Sequence, residues 1–322
     1  MGKRQRRRSF NDALKKVAVV VAAFVVEPFL ASGILGATPL YAESGGHHSD
    51  LLERVIEGAA TLALAHGEPQ ARYTLEDVTT RATRVDGGWD LNGQKAVVMN
   101  GDTADHLIVS ARTSCDQRDR SGISLFLVPA ETVGVTRRGY PTIDGGRAAE
   151  ISLANVRLGA DAIIGDEGQA FATTEHAHAR AIVAVCAEAI GIMDASHAMT
   201  LDYLKTRTQF GRPIGAFQVL QHRMVDLSLE IEQARSAVLL AAGQLDGRDR
   251  VVRERAVSAA KNLVGRVGRL VAEETIQLHG GIAMTWEYAL PHFAKRLTMI
   301  DHQFGDTDHH LMRFSALSAA TT

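Results

Sequence analysis

The sequence predicts an α+β protein in three successive parts: a helical N-terminal piece, a central antiparallel β domain and a C-terminal four-helix bundle. Three observations lead there. Short alternating runs broken by Gly- and Asp-rich turns fill residues 61 to 165. After Gly165, apolar residues recur every three to four positions over long stretches. Ahead of residue 61, an apolar run of helix length stops at Glu27-Pro28. These shifts of texture set boundaries at 1–60, 61–165 and 166–322.

Composition narrows the function class. The 322 residues are about two domains' worth of chain, and 46% hydrophobic with 22% charged residues provides a sizeable core. Lys+Arg 35 against Asp+Glu 37 leaves a net charge of -2, which excludes a surface built throughout for nucleic acid. Cys115 and Cys186 are too few for a disulfide framework or a structural zinc site. No run of 18 apolar residues occurs, so no membrane span is expected, and the expected location is cytoplasmic.

The N-terminal tip carries Lys3, Arg4, Arg6, Arg7 and Arg8 ahead of the apolar run Val17–Val26, a pattern similar to a twin-arginine export signal. Glu27 interrupts the run before any cleavage site, and Lys15-Lys16 abut it. A retained helix over Asp12–Val26 is the preferred reading. In the β part, Arg84-Val85 and Trp89–Leu91 flank the hairpin signal Asp86-Gly87-Gly88. Runs at Ala96–Met99, His106–Ala111, Ile123–Val128, Gly134–Arg137 and Ala149–Leu153 follow at close intervals, pointing to an antiparallel sandwich or barrel. In the last part, Ala172–Thr206, Phe217–Leu245, Arg253–His279 and a shorter stretch from Trp286 read as helices, broken at Gly211-Arg212-Pro213 and Asp246-Gly247-Arg248.

The motifs exclude as well as indicate. The chain has no Gly-x-Gly and no P-loop, so neither a Rossmann dinucleotide site nor a Walker site is expected. Asp301, His302, Asp306, Asp308, His309 and His310 cluster, but at no standard ligand spacing; a polar capping segment is expected there, and no metal. Arg207-Thr208-Gln209-Phe210-Gly211-Arg212-Pro213 with Gln218 suits a pyrophosphate, because a guanidinium bonds phosphate bidentately and an aromatic packs on a flat group. Gln277-Leu278-His279-Gly280-Gly281 ends a helix in paired glycines, where a phosphate or ribose can approach backbone N–H groups. Each segment alone is also an ordinary helix corner.

Together, in this order and separation, the two segments resemble the acyl-CoA dehydrogenase family, from about Glu27 to Phe314. Ala187-Glu188-Ala189-Ile190-Gly191, Tyr203–Arg207, Trp286-Glu287-Tyr288 with Lys295-Arg296, and Phe304-Gly305-Asp306 look most like the small subunit of pimeloyl-CoA-type two-subunit enzymes. The resemblance implies FAD-dependent α,β-dehydrogenation of an acyl-CoA thioester. It makes Arg207, Phe210, Gln218, Gln277, Gly280, Gly281 and Thr307 the FAD-binding candidates. It also implies an acyl-CoA substrate, a homologous large subunit or a second copy as partner, and a flavoprotein electron acceptor.

Departures from the family pattern carry information too. The family's catalytic glutamate falls on Gly305, and its alternative glutamate on Ala181, leaving Asp306 as the candidate base. The family's Thr-Glu-Pro stands as Gly67-Glu68-Pro69, with the following Gly-Ser-Asp replaced around Arg72-Tyr73. Its Trp-Ile-Thr-Asn-Gly stands as Val97-Val98-Met99-Asn100-Gly101. The family's first helices are expected to be missing or replaced by residues 1–16. In the family, the bundle motifs grip the ADP part of a neighbour's FAD. The kept motifs would therefore serve a partner, and the altered ones this chain's own site. The expectation is a subunit acting with a catalytically complete partner, against a homomeric enzyme using Asp306 or a non-catalytic flavin-holding protein.

Overall fold

The computed structural model describes residues 28–43 and 48–319; the helix expected over Asp12–Val26 lies outside them. The chain divides into two compact units, one of residues 26–181 and one built on 182–322. The division falls inside a long helix, so the β unit takes in that helix's first turns.

The first unit opens with a π-helical segment, Phe29–Gly36, followed by α1 (Ala37–Glu43) and α2 (Ser49–Ile56). Ser32 fixes the segment to the first strand: its hydroxyl donates to Leu62 O at 2.9 Å and accepts from Leu62 N at 2.8 Å. Gly36 is needed at this crossing, since a Cβ there would lie 2.5 Å from Leu62 Cβ.

Eight strands follow: β1 (Leu62–Ala65), β2 (Arg81–Val85), β3 (Gly88–Met99), β4 (His106–Arg112), β5 (Ile123–Pro129), β6 (Val135–Pro141), β7 (Arg147–Gly159) and β8 (Ile163–Ile164). Every run read from the sequence falls on a strand, with Gly134–Arg137 beginning one residue ahead of β6, and the β2–β3 hairpin turns at Asp86-Gly87, with Gly87 at φ +80°. The pairing differs from a purely antiparallel sandwich or barrel. One sheet runs β6-β7-β3-β2-β4-β5-β8, with β1 parallel to β4, and β2 meets β4 through the single parallel pair Arg81↔Arg112. The β2–β3 hairpin intervenes between β1 and β4, so the chain returns beside β1 in the same direction. The two halves share one core, in which Trp89 meets Phe126 edge to face at 5.2 Å among Leu91, Leu107, Val128 and Ile151.

In the second unit, α3 (Phe171–Thr206) leads through a two-strand hairpin, β9 (Thr208–Gln209) and β10 (Arg212–Pro213), to α4 (Gln218–Gln244) and α5 (Arg250–His279). Asp249 caps α5, its carboxylate accepting from Val251 N at 2.8 Å and Val252 N at 3.2 Å. Val257, Val264, Val267, Val271 and Leu278 line its buried face. The last stretch, expected as one helix, is two: α6 (Leu290–His302) and α7 (Thr307–Ala319), separated by a turn at 303–306. A bidentate pair from Arg296 to Glu188, at 2.5 and 2.6 Å, ties α6 to α3. Among the described residues α3 alone is long and apolar enough to cross a membrane; half of its most apolar window is buried within the chain.

Candidate functional site

The Arg207 segment is a tight hairpin. Thr208–Gln209 pairs with Arg212–Pro213, and the loop residues Phe210 and Gly211 both have positive φ, +54° and +77°. Two positive-φ residues are what a type I′ turn demands. A phenylalanine there stores strain, and its ring is 90% exposed. The ring meets Phe217 edge-on at 6.1 Å, and Phe217 in turn lies under the Arg212 guanidinium at 4.1 Å. Ile214 N donates to Arg207 O at 2.9 Å, which brings Arg207 beside the start of α4, where Gln218 is exposed.

The glycine corner ends α5. Gly280 adopts φ +66° and, like Gly281, is exposed; a Cβ on either would meet nothing within 4 Å. Gln277 is exposed one turn earlier. His279 anchors the corner from inside. Its ring stacks on Tyr203 at 4.5 Å, Nδ1–H donates to Thr275 O at 2.9 Å, and Nε2 accepts from the Tyr288 hydroxyl at 3.1 Å. Burial lowers its pKa, which keeps the imidazole neutral for that pattern. Tyr203 lies one turn before Arg207, so this stack brings the hairpin and the Gly-Gly corner to one end of the helical unit. Arg207, Phe210, Gln218, Gln277, Gly280 and Gly281 are all exposed there.

Asp306 and Thr307 lie elsewhere. The 303–307 turn packs against α5 near Lys261 and Gly265, and Lys261 is about 24 Å from Gln277 along the helix axis at 1.5 Å per residue. Gly305 is buried at φ +110°, and a Cβ there would sit 2.6 Å from His309 Cδ2 and 2.7 Å from His310 Nε2. A side chain at Gly305 therefore requires the two histidines to move. Asp306 caps α7, with Oδ1 accepting from His309 N at 2.9 Å, and Thr307 Oγ1 donates to Asp301 Oδ1 at 2.8 Å. Ala181 is fully buried.

The β unit carries a network that sequence reasoning missed. Glu68 and Lys95, both fully buried, pair at 2.6 Å. Glu68 also accepts from Thr79 N at 2.7 Å, Thr80 N at 3.0 Å and Gln70 Nε2 at 2.9 Å. Lys95 also donates to Ser110 Oγ at 3.0 Å and His66 O at 3.3 Å. Burial pushes the Glu68 carboxyl up, but Lys95 and the Thr79 and Thr80 bonds outweigh it and hold it far below the usual range. Burial pulls Lys95 down to about 8 against the attraction of Glu68. Lys95 ends a regular stretch of β3. The register then slips by Val98, and Val97, 64% exposed, stands at φ +53°. A β-branched residue at positive φ is an outlier that only a rigid surround maintains. The Glu68–Lys95 pair, with Ala96 N donating to Gly67 O at 2.8 Å, thus ties the Gly67–Pro69 segment to β3 just ahead of its irregular end.

The exposed guanidinium, amides, aromatic ring and open glycine backbone at the Arg207 end fit the ADP portion of a dinucleotide.

Residues 63–156 match the acyl-CoA dehydrogenase middle domain and residues 166–316 the acyl-CoA dehydrogenase C-terminal domain. The probable acyl-CoA dehydrogenase YngJ of Bacillus subtilis (strain 168) is 30% identical over 266 residues, covering 81% of this chain and 70% of YngJ. The butyryl-CoA dehydrogenase structure from Megasphaera elsdenii superposes with a TM-score of 0.84 at 27% identity, covering 90% of this chain and 76% of its own. The FAD complex of PigA superposes at 0.82 and 27% identity, covering 88% and 74%.

Proposed function

Since the chain belongs to the acyl-CoA dehydrogenase family, we propose that it is an FAD-dependent acyl-CoA dehydrogenase subunit that works with a catalytically complete partner chain. The observation that carries this reading is the separation within the helical unit. The phosphate-suited group gathers at one end of α5, and the turn that would hold a base lies about 24 Å away and is built around a glycine. The first group would serve FAD seated in a neighbouring subunit; the second leaves this chain's own site without its proton acceptor.

FAD, when bound, supplies the hydride acceptor. The residues of this chain do the rest of their share by binding. Arg207 would take the pyrophosphate in charge-assisted bonds, Phe210 would lie against a flat portion, and Gln218, Gln277 and the Gly280-Gly281 N–H groups would orient the adenylate end. Removal of the α-proton needs a positioned base. With Ala181 apolar, Gly305 bare and the Asp306 carboxylate occupied as a helix cap, that base is assigned to the partner. The substrate is an acyl-CoA thioester, of dicarboxylic, pimeloyl-CoA type by the small-subunit resemblance. Electrons would pass to an acceptor flavoprotein, and the site of action is the cytoplasm.

Visible absorbance of the purified chain, alone and mixed with a homologous large subunit, tests this. Flavin and activity only in the mixture support the proposal. Flavin and activity in the chain alone support a homomer using Asp306, and neither in any mixture supports a non-catalytic assembly protein.

A further inference from the structure

The helix α4 carries apolar side chains on two sides. Met224, Leu227, Ile231, Ala234 and Val238 are buried within the helical unit. On that side Arg235 reaches Asp194 of α3 at 2.6 Å, and Arg223 reaches Glu274 of α5 at 2.6 Å. A second stripe runs along the opposite side: Val225, Leu229, Glu232, Ser236, Leu239 and Gly243, every one of them exposed. Its large apolar side chains, with Leu240 beside them, are each more than half exposed. One buried stripe is enough to seat a surface helix on its core; a helix apolar on two sides calls for a second neighbour.

The outer stripe advances in alternating steps of four and three residues, the period of a coiled-coil seam. It is also self-complementary about Ala234. Residues equally spaced either side of that point match Leu229 with Leu239, Val225 with Gly243 and Glu232 with Ser236. Two copies laid antiparallel across a two-fold axis therefore set leucine on leucine twice. Each Val225 meets a glycine, where a Cβ would have nothing within 4 Å and the backbone is open to a knob. Glu232 enters the seam with its charge already met by Arg235 at 3.1 Å, and the facing serine hydroxyl can donate to it. A patch that complements itself is the condition for a two-fold dimer. From Val225 to Gly243 the seam is about 27 Å long at 1.5 Å per residue.

We propose that the outer face of α4 is a homodimerisation surface, pairing antiparallel with the same face of a second copy of this chain. The second copy is the occupant because one sequence supplies both sides of the seam in register. The centre of the seam at Ala234 is about 24 Å along the axis from Gln218, so this contact is centred well away from the exposed group at the Arg207 end. The pairing needs no flavin and stands apart from the functional reading above.

Sedimentation velocity of the full chain at micromolar concentration tests this, with circular dichroism to verify folding. The unaltered chain should sediment as a dimer or a multiple of one. Leu229→Glu combined with Leu239→Glu sets like charges against each other across the axis and should halve the mass. Leu229→Glu combined with Leu239→Lys alters the same two positions but sets opposite charges together, and should restore the dimer. A monomeric unaltered chain overturns the proposal. So does an assembly whose mass the glutamate pair leaves unchanged, or one that the glutamate–lysine pair fails to restore. If the glutamate pair does not fold, Leu229→Ser with Leu239→Ser decides, and an unchanged mass again overturns the proposal. A chain that is monomeric alone and gains mass only on mixing with a homologous large subunit overturns it as well, and gives the face to that subunit.

Discussion

Replacing Lys95 by Met should destabilise the β unit by about 3–5 kcal/mol, the range for breaking a buried ion pair by removing one partner. Lys95 is fully buried and donates to Glu68 Oε1, Ser110 Oγ and His66 O, so all three ammonium protons are committed. Methionine fills much the same space, so little of the loss comes from packing. What remains is a fully buried carboxylate that keeps its Thr79, Thr80 and Gln70 donors but has lost its cation. Urea unfolding is the assay, followed by Trp89 fluorescence, since Trp89 sits in the core of the same unit. Adding Glu68→Gln to Lys95→Met should return part of the loss, so the two changes should be non-additive by about 1 kcal/mol or more. The cost should also depend on pH. The folded carboxyl lies below its ordinary value, so its contribution is present above that value and is lost as pH falls through the acid range. The penalty should therefore shrink when the assay moves from neutral pH into acid. A loss below about 1 kcal/mol at neutral pH, or one that does not change with pH, would refute the reasoning.

Three further outcomes are expected. Burial, helped by Lys261, depresses His310 to about 3, so stability present above the ordinary histidine value should drain away as pH falls from about 6.5 toward 3, at up to about 1.4 kcal/mol per unit; His310→Gln should flatten that slope in an acid-unfolding series. Gly305→Ala should lower stability by about 1–3 kcal/mol, because its Cβ meets His309 and His310 at a φ of +110°; an alanine variant with an unaltered melting temperature would contradict this. Arg207→Ala should weaken FAD retention in the assembled protein roughly 10- to 150-fold, equivalent to about 1.5–3 kcal/mol for hydrogen bonds to a charged group, read by equilibrium dialysis.

Local chemistry made much of this legible in the sequence. Asp86-Gly87 announces its hairpin, and Phe210-Gly211 closes the two-residue turn that the Arg207 segment needs. The 3–4 spacing along α5 marks its buried face. What resisted reading was pairing across distance. β1 and β4 both appear as apolar runs, and nothing within either says that they run parallel. The Glu68–Lys95 bond spans 27 residues and the Lys261–Gly305 bond 44. A signal did exist for the second: Glu254 and Lys261 fall on the apolar face of α5 seven residues apart, and a charge on such a face has to find a partner. The break between α6 and α7 was hidden because neither proline nor a glycine pair marks it; Gly305 at positive φ and the Asp306 cap together end one helix and begin the next.

The central claim, a dehydrogenase subunit without its own base, is tested most directly by dye-linked turnover of monocarboxylic and dicarboxylic acyl-CoA thioesters by the homogeneous, FAD-supplied chain. A general base contributes roughly 10²–10⁴-fold, so the chain alone should show little or no turnover, and turnover should appear when a family chain carrying glutamate in place of Gly305 is added. Robust turnover by the homogeneous chain that survives Asp306→Asn would contradict the account.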